Sequence, residues 1–274
     1  MRLLLLFTCC IIIINSNAQT DSLSLKFPID SAYFSSFDGT KIYYEVRGEG
    51  KPVLLVHGFM GNSSGWKSGA LYTDLLQRGY KVIVLDMRGN GKSGKPHDST
   101  AYENDAEAKD IMKLMDLLKI KQYSVVGYSR GSIITARLLV LDKRIQIAVL
   151  GGMGTDFTNP EWPRRKMFYR AMMGDSIPEL KAAVDYVKQQ GLDQLALAYL
   201  QKAQPSTTKE ELGNVKQPVL VICGDKDADN GSAAELAKLL PKSSSATTPG
   251  DHNHAAKTPD FSMEIISFFR RNNY

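Results

Sequence analysis

Short, strongly apolar runs alternate with amphipathic segments along most of this chain. The main apolar runs are PVLLVHG (52–58), KVIVLD (81–86), QYSVVGYS (122–129), RIQIAVLGG (144–152) and QPVLVICGD (217–225). Strands that are buried on both faces of a parallel sheet have this composition. Between the runs, segments such as DAEAKDIMKLMDLLKI (105–120) place their apolar residues on one helical face. The pattern predicts an α/β fold, with a mostly parallel central sheet and helices on both faces.

Three further segments add predicted elements to this pattern. AYFSSF (32–37) and KIYYEV (41–46) flank an Asp-Gly pair, which predicts a hairpin of two strands. SGWKSGALYTDLLQRG (64–79) has helical spacing and ends in a glycine, so we expect one helix there. FSMEIISFFRR (261–271) is predicted to be an amphipathic final helix.

Residues 155–215 interrupt the alternation. They contain the helix-like stretches PELKAAVDYVKQQG and LDQLALAYLQKA but no apolar strand. We therefore expect a helical cap inserted into the α/β core, which would comprise residues 19–154 and 216–274. The cap also carries a basic run, which we interpret as a solvated helix face rather than a handle for an anionic substrate: Arg164, Arg165, Lys166 and Arg170.

Residues 1–18 have the parts of a secretory signal peptide. Arg2 supplies a basic start, an apolar run covers residues 3–14, and small residues follow up to Ala18. The apolar run has 12 residues, whereas a helix that spans a bilayer needs roughly 17 to 25. We therefore expect cleavage after Ala18, export to the periplasm or the extracellular space, and no permanent membrane anchor.

The cysteines agree with this interpretation. Cleavage would remove Cys9 and Cys10 and leave Cys223 alone, so no internal disulfide is expected. Cys223 ends an apolar run and is predicted to be a buried strand residue rather than a nucleophile or a metal ligand. Attachment of a lipid to Cys9 or Cys10 is a weaker alternative, because either cysteine would lie within the apolar run.

Composition excludes several classes of partner. The chain has 274 residues, of which 43% are hydrophobic and 23% charged, as in a folded globular protein. Its net charge of +5 is mild, and no stripe of Lys and Arg alternates with aromatic residues, so no nucleic-acid partner is expected. The histidines lack i, i+4 pairing, so neither a metal site nor a cofactor is predicted.

RGNGKSGK (88–95) resembles two nucleotide-binding signatures, the G-x-G-x-x-G fingerprint and the end of a phosphate loop. A phosphate loop needs a glycine at position 86, where this chain has Asp86, whose carboxylate repels phosphate. A dinucleotide site needs a helix that begins within the glycines, and Pro96 prolongs an irregular segment instead. We therefore expect no nucleotide to bind.

The most specific motif is Gly127-x-Ser129-x-Gly131, which lies between a predicted strand and a predicted helix. In this context the spacing is typical of a nucleophile elbow, in which a sharp turn exposes the serine hydroxyl. A serine hydroxyl needs a base to activate it. His252 and His254 are the candidates, because both lie in the loop before the final helix.

A carboxylate must hold that base, and three aspartates follow the preceding strand: Asp225, Asp227 and Asp229. The order of nucleophile, acid and base along the chain is then Ser, Asp, His. This is the order found in α/β-hydrolases.

From about residue 32 to its end, the chain resembles the cap-bearing α/β-hydrolases with a serine nucleophile. Their Asp-x-Arg-Gly-x-Gly-x-Ser loop, which is structural and binds no phosphate, stands here at residues 86–93. HGFMGNSSGW (57–66) is similar to their His-Gly segment. The resemblance implies that the backbone amides of Phe59 and Arg130 form the oxyanion hole.

The resemblance also implies that Asp227 is the acid, with Asp225 as the alternative, and that His252 is the base, with His254 as the alternative. The expected function is an exported serine hydrolase that cleaves a small carboxylic ester through an acyl-enzyme. An inactive binding or receptor protein on the same fold, or a lyase or perhydrolase, remains an alternative. An aspartate nucleophile is excluded, because residue 129 is serine.

Overall fold

The computed structural model describes residues 29–274. The signal peptide expected at residues 1–18 lies outside this range, together with Cys9 and Cys10. Within the described range, no helix is both long enough and apolar enough to cross a membrane.

One eight-stranded sheet organises the chain, with the strand order β1-β2-β4-β3-β5-β6-β7-β8. Its strands are β1 (Ile29–Ser35), β2 (Lys41–Arg47), β3 (Pro52–Val56), β4 (Lys81–Leu85), β5 (Tyr123–Tyr128), β6 (Ile145–Gly151), β7 (Val219–Gly224) and β8 (Ser243–Thr248). β1 and β2 form the predicted hairpin, and β2 pairs antiparallel with β4. The six strands β3 to β8 are parallel to one another. The predicted mostly parallel α/β sheet is therefore confirmed.

Helices cover both faces of the sheet. They are α1 (Ser64–Lys67), α2 (Ala70–Gln77), α3 (Ala106–Leu117), α4 (Arg130–Leu141), α5 (Pro163–Met173), α6 (Lys181–Gln189), α7 (Gln194–Lys202), α8 (Lys209–Gly213), α9 (Ala233–Lys238) and α10 (Pro259–Arg271), with 3-10 turns at Ser99–Tyr102, Asp156–Thr158, Pro178–Leu180 and Ala255–Lys257. Alternate residues of β3 belong to different clusters, because side chains alternate across a strand. Leu54 packs with α3 and α4, and Leu55 packs with α2 and α10.

The segment 64–79 differs from its prediction, because it forms two helices rather than one. The break falls at Gly69, whose backbone is extended, with φ −105° and ψ 167°. A Cβ atom at Gly69 would lie 3.2 Å from the Ala256 carbonyl oxygen and 3.2 Å from the Lys257 Cα atom. The close approach of a loop that is distant in sequence therefore coincides with the break.

Between β6 and β7 the described chain contains helices and turns but no strand. Helices α5, α6 and α7 share a small apolar cluster that includes Met172, Val187 and Leu200. At the two ends of this segment, Phe157 and Leu212 pack with the main core instead. The inserted helices therefore have their own packing and are joined to the sheet at both ends.

Candidate active site

The turn between β5 and α4 has the geometry of a nucleophile elbow. Ser129 has φ 54° and ψ −124°, a conformation that a residue with a side chain seldom adopts. A Cβ atom at Gly127 would overlap the Gly131 carbonyl oxygen, and one at Gly131 would overlap the Val56 carbonyl oxygen. Both glycines are thus required by close packing of backbone around the serine.

Ser129, His252 and Asp227 form a continuous chain of hydrogen bonds. The Ser129 Oγ atom lies 2.8 Å from His252 Nε2, and His252 Nδ1 lies 2.9 Å from Asp227 Oδ2. The Asp227 side chain is only 2% exposed. The three residues follow the carboxyl ends of β5, β8 and β7, which meet at one edge because these strands are parallel.

The two alternative residues contact other groups. Asp225 accepts a hydrogen bond from the Gly250 amide at 2.8 Å. His254 is 72% exposed and pairs with Asp251, with 2.6 Å between Nδ1 and Oδ1. Asp225 and His254 therefore help to shape the loop that carries His252, whereas Asp227 and His252 face Ser129.

His57 fixes the peptide that precedes Phe59. Its Nε2 atom accepts from the Met87 amide at 3.0 Å, so its Nδ1 atom carries the proton and donates to the Gly58 carbonyl oxygen at 2.8 Å. Burial lowers the pKa of His57, which keeps the ring neutral. The Phe59 amide points opposite to that carbonyl, because the peptide is trans. This role was missed in the sequence, where His57 was noted only within the His-Gly segment.

The residues expected to form the oxyanion hole lie in segments that adjoin Ser129. A Cβ atom at Gly58 would lie 3.3 Å from the Ser129 Cβ atom and 3.8 Å from its Oγ atom, so the segment that leads to Phe59 passes directly beside Ser129. The Phe59 carbonyl oxygen accepts from Asn90 Nδ2 at 2.8 Å. Arg130 is the first residue of α4, so its amide has no acceptor within the helix. The positions suit the predicted role.

The side chain of Arg130 connects the turn at Ser129 to two other helices. It forms a buried, two-pronged ion pair with Glu107 of α3. It also donates to the Leu200 carbonyl oxygen of α7 at 3.0 Å. Nothing in the spacing of these residues indicated the contact, because they are far apart in the sequence.

The loop at residues 86–93 is organised by its own side chains. The Asp86 carboxylate accepts from the amides of Ser63 and Lys92, both at 2.7 Å. Ser93 donates through Oγ to the Asp86 carbonyl oxygen and accepts from the Tyr43 amide at 2.9 Å. The Lys92 amide, which a phosphate loop would direct at its ligand, therefore serves a carboxylate of the chain.

Two cavities meet at Ser129 and His252. The larger cavity, of about 640 Å³, is bordered by Trp66 and Tyr186 and by further residues of α6. The smaller cavity, of about 280 Å³, is bordered by residues of α5 and α7, among them arginine and glutamine side chains. The inserted helices thus form one wall of both cavities beside Ser129.

The basic run of the cap divides between solvent and the smaller cavity. Lys166 and Arg170 are exposed and pair with carboxylates, as expected for a solvated face. Arg164 and Arg165 instead border the smaller cavity. Both are only partly buried, so the predicted solvated face describes these two residues in part, and they contribute to the cavity as well.

Cys223 and a small acidic group complete the surroundings. Burial raises the pKa of Cys223 to about 11, so its thiol is a poor nucleophile at neutral pH.

The carboxylate and imidazole ligand atoms of Asp227, Asp229 and His252 lie within 4.8 Å of one another, a spacing that a cation can use. A cation bound there would displace the hydrogen bond between His252 and Asp227.

The fold and the position of Ser129 after β5 are those of an α/β-hydrolase, and sequence comparison agrees with this class. A family model described as alpha/beta hydrolase fold matches residues 51–185. A candidate non-heme chloroperoxidase from Synechocystis sp. is 30% identical over 243 residues, which cover 76% of this chain and 87% of that protein. This chain therefore belongs to the α/β-hydrolase fold family.

Other relatives match more narrowly or in fold alone. A non-heme haloperoxidase from Rhodococcus erythropolis is 37% identical over 102 residues, 36% of this chain and 35% of that protein. The bromoperoxidase structure from Bacillus anthracis has a TM-score of 0.69 at 24% identity and covers 88% of this chain and 100% of that one. An esterase from Exiguobacterium antarcticum has a TM-score of 0.72 at 20% identity, with 87% and 99% covered. At these identities the two structures show the shared fold.

Proposed function

We propose that this chain is a serine hydrolase that cleaves a small carboxylic ester through an acyl-enzyme on Ser129. The observation that carries the proposal is the hydrogen-bond chain from Ser129 through His252 to the buried carboxylate of Asp227. Two cavities beside the serine offer space for the two arms of an ester. No cofactor is needed for this chemistry.

In the first half of the reaction, Ser129 Oγ attacks the ester carbonyl carbon while His252 Nε2 takes the hydroxyl proton. Asp227 holds the imidazole by Nδ1 and stabilises the imidazolium that forms. The negative charge on the carbonyl oxygen is stabilised by the amides of Phe59 and Arg130. His252 then gives its proton to the departing alkoxide, and an acyl group remains on Ser129.

In the second half, water attacks the acyl carbon and gives its proton to His252. The tetrahedral intermediate collapses, the carboxylic acid leaves, and the proton returns to Ser129. The same three residues serve both halves, so substitution of any one of them impairs the whole cycle.

The proposal is tested with a fluorophosphonate probe and a series of p-nitrophenyl esters of increasing acyl length. We expect the wild-type chain to be labelled at Ser129 and to hydrolyse part of the series. Ser129→Ala, with unchanged circular dichroism, should show neither property. Ordinary turnover by Ser129→Ala would overturn the proposal, and a folded wild-type chain without labelling or turnover would favour a binding protein.

A second candidate is perhydrolysis, in which hydrogen peroxide replaces water as the second nucleophile. The acyl-enzyme and hydrogen peroxide would give a peroxy acid and free Ser129. The peroxy acid would then transfer one oxygen atom to halide, which gives hypohalite and the carboxylic acid. The names of the Synechocystis and Rhodococcus relatives, a candidate chloroperoxidase and a haloperoxidase, favour this candidate. Bromide oxidation that needs ester or carboxylic acid, peroxide and Ser129 together would establish it.

We also propose that the protein is exported and that residues 1–18 are removed. This rests on the basic, apolar and small-residue parts of the first 18 residues. Mass spectrometry of protein recovered from the medium or the periplasm should find Gln19 at the N-terminus. A chain that retains residues 1–18 would contradict the proposed cleavage.

A further inference from the structure

The smaller cavity beside Ser129 carries an excess of positive charge. Three arginines are among the residues that border it: Arg130, Arg164 and Arg165. Arg130 is balanced by Glu107. Arg164 lies 3.5 Å from an oxygen of Asp229, which borders the same cavity. Two of the three positive charges are therefore paired.

The third arginine, Arg165, forms its hydrogen bonds with neutral groups and not with a carboxylate. It donates to three backbone carbonyl oxygens, those of Gln201 at 2.8 Å, Lys202 at 2.7 Å and Pro160 at 3.3 Å. Within residues 29–274 it forms no ion pair. Burial and repulsion from Arg130 lower the pKa of Arg165, and attraction to Glu161, which is itself paired with Lys166, partly opposes them. Arg165, which borders the cavity, thus carries a positive charge that no directly bonded carboxylate balances.

Neutral polar side chains complete this wall. Gln201 and Gln204 both border the smaller cavity and are each only 6% exposed. The Nε atom of Arg130 is buried and has no hydrogen-bond partner in the described chain. A buried donor without a partner, such as this Nε atom, is costly unless a ligand or water satisfies it. The combination of these polar groups with an unbalanced guanidinium suits a carboxylate, which accepts several hydrogen bonds at once.

We propose that the smaller cavity binds a carboxylate on one arm of the ester, so that the substrates are monoesters of short dicarboxylic acids or esters of short hydroxy acids. This inference rests on the proposed function and names its substrate class. A cavity of about 280 Å³ corresponds to roughly nine water molecules. It therefore accommodates a carboxylate and a few carbon atoms, while the larger cavity takes the uncharged arm.

The test compares anionic esters with neutral esters of the same shape. For the acyl arm, the pair is p-nitrophenyl hemisuccinate and p-nitrophenyl 4-methylpentanoate. For the alcohol arm, the pair is the butyryl ester of glycolate and isobutyl butyrate. We expect wild-type kcat/KM to be higher for the anionic member of at least one pair, with Ser129→Ala supplying the background rate.

Two variants then probe the cavity itself. Arg165→Gln removes the unbalanced charge, and Gln204→Glu adds a competing carboxylate while leaving the carbonyl contacts of Arg165 in place. Each should lower the anionic-to-neutral ratio about tenfold to a hundredfold, the range for a charge-assisted hydrogen bond. Arg170→Gln, an exposed position on the same helix, is the matched control and should leave the ratio unchanged. A ratio of one or less in both pairs, or a ratio insensitive to both variants, would overturn the inference.

Calorimetric binding to Ser129→Ala separates this inference from the proposed function. Tighter binding of the anionic esters, lost on adding Gln204→Glu, supports the carboxylate site even if no ester is turned over, which would contradict only the hydrolase proposal. Turnover that depends on Ser129 without any preference for the anionic esters contradicts only the carboxylate site. If Arg165→Gln fails to fold, Gln204→Glu still decides the question.

Discussion

The hydroxyl of Tyr128 donates a hydrogen bond to the backbone carbonyl oxygen of His252 at 2.7 Å. The next residue, Ser129, contacts the Nε2 atom of the same histidine at 2.8 Å. His252 is thus held at its backbone and at its ring by two consecutive residues of the elbow. Burial raises the pKa of Tyr128, so its hydroxyl keeps its proton across the pH range of an enzyme assay.

We expect Tyr128→Phe to lower kcat roughly fivefold, the effect of one hydrogen bond of about 1 kcal/mol, with little change in KM. The physical reason is that the loop carrying His252 loses one support while the cavities keep their shape. Steady-state kinetics on one p-nitrophenyl ester measures both constants. Tyr33→Phe, on the exposed face of β1, is the control. An unchanged kcat would show that the hydroxyl does not position the base.

The choice of acid and base is tested by four single variants. His252→Ala and Asp227→Ala should each lower kcat roughly a thousandfold or more, because residues of a triad act as one unit. His254→Ala and Asp225→Ala should have much smaller effects, since these residues contact the His252 loop and not Ser129. One ester is assayed with all four variants under the same conditions. A larger loss of kcat in His254→Ala than in His252→Ala would identify His254 as the base instead.

Gly127→Ala should destabilise the protein by about 1–3 kcal/mol, the cost of overpacking, and should abolish activity. The added methyl group would overlap the Gly131 carbonyl oxygen, so the turn around Ser129 must open. Urea unfolding measures the free energy change. Gly213→Ala, at the end of α8, is the matched control, because a Cβ atom there meets nothing within 4 Å. Equal stability of the two variants would contradict the tight elbow.

His57 should make the protein less stable in mild acid. Burial lowers its folded-state pKa below the ordinary value of 6.5, so below that pH the unfolded chain binds a proton that the folded chain does not. Stability is therefore complete above about pH 6.5 and falls as pH decreases, by at most about 1.4 kcal/mol per pH unit for this one group.

Urea unfolding at several pH values between 5 and 8 measures this dependence. We expect His57→Gln to be less stable at pH 8 and to have a shallower slope below pH 6.5. His97→Gln is the control, because His97 is exposed and pairs with Asp193. A slope that His57→Gln leaves unaltered would assign the acid sensitivity to other groups.

The loop RGNGKSGK should bind neither ATP nor NAD. The Asp86 carboxylate occupies the Lys92 amide, and phosphate would have to displace it against charge repulsion. Isothermal titration calorimetry of each nucleotide should give no heat of binding. Micromolar binding that disappears in Lys92→Ala would reverse this prediction.

The amino-acid sequence by itself determined the α/β sheet and the position of the elbow. Runs such as KVIVLD are too apolar to face water on either side, so they had to lie in the middle of a covered sheet. The spacing Gly127-x-Ser129-x-Gly131 is also local. The turn forms because Gly127 and Gly131, on either side of the serine, have no side chain, and this can be read directly from the sequence.

Tertiary structure alone decided between neighbouring candidates. Asp225 and Asp227, like His252 and His254, lie two residues apart, and local spacing does not say which of them faces Ser129. The answer depends on how the loops after β7 and β8 pack against each other. The break of the predicted helix at Gly69 has the same origin, because it coincides with close contact to residues near Lys257.

The smaller cavity was also beyond the reach of sequence patterns. Its wall combines Phe59, Arg130, Arg165 and Gln204, which come from separate segments. A basic run such as that at 164–170 is usually solvated, and it is the packing of α5 against α7 that brings part of it to the cavity that Ser129 borders. Local patterns determine which elements form, whereas the contacts between distant elements determine which side chains share a site.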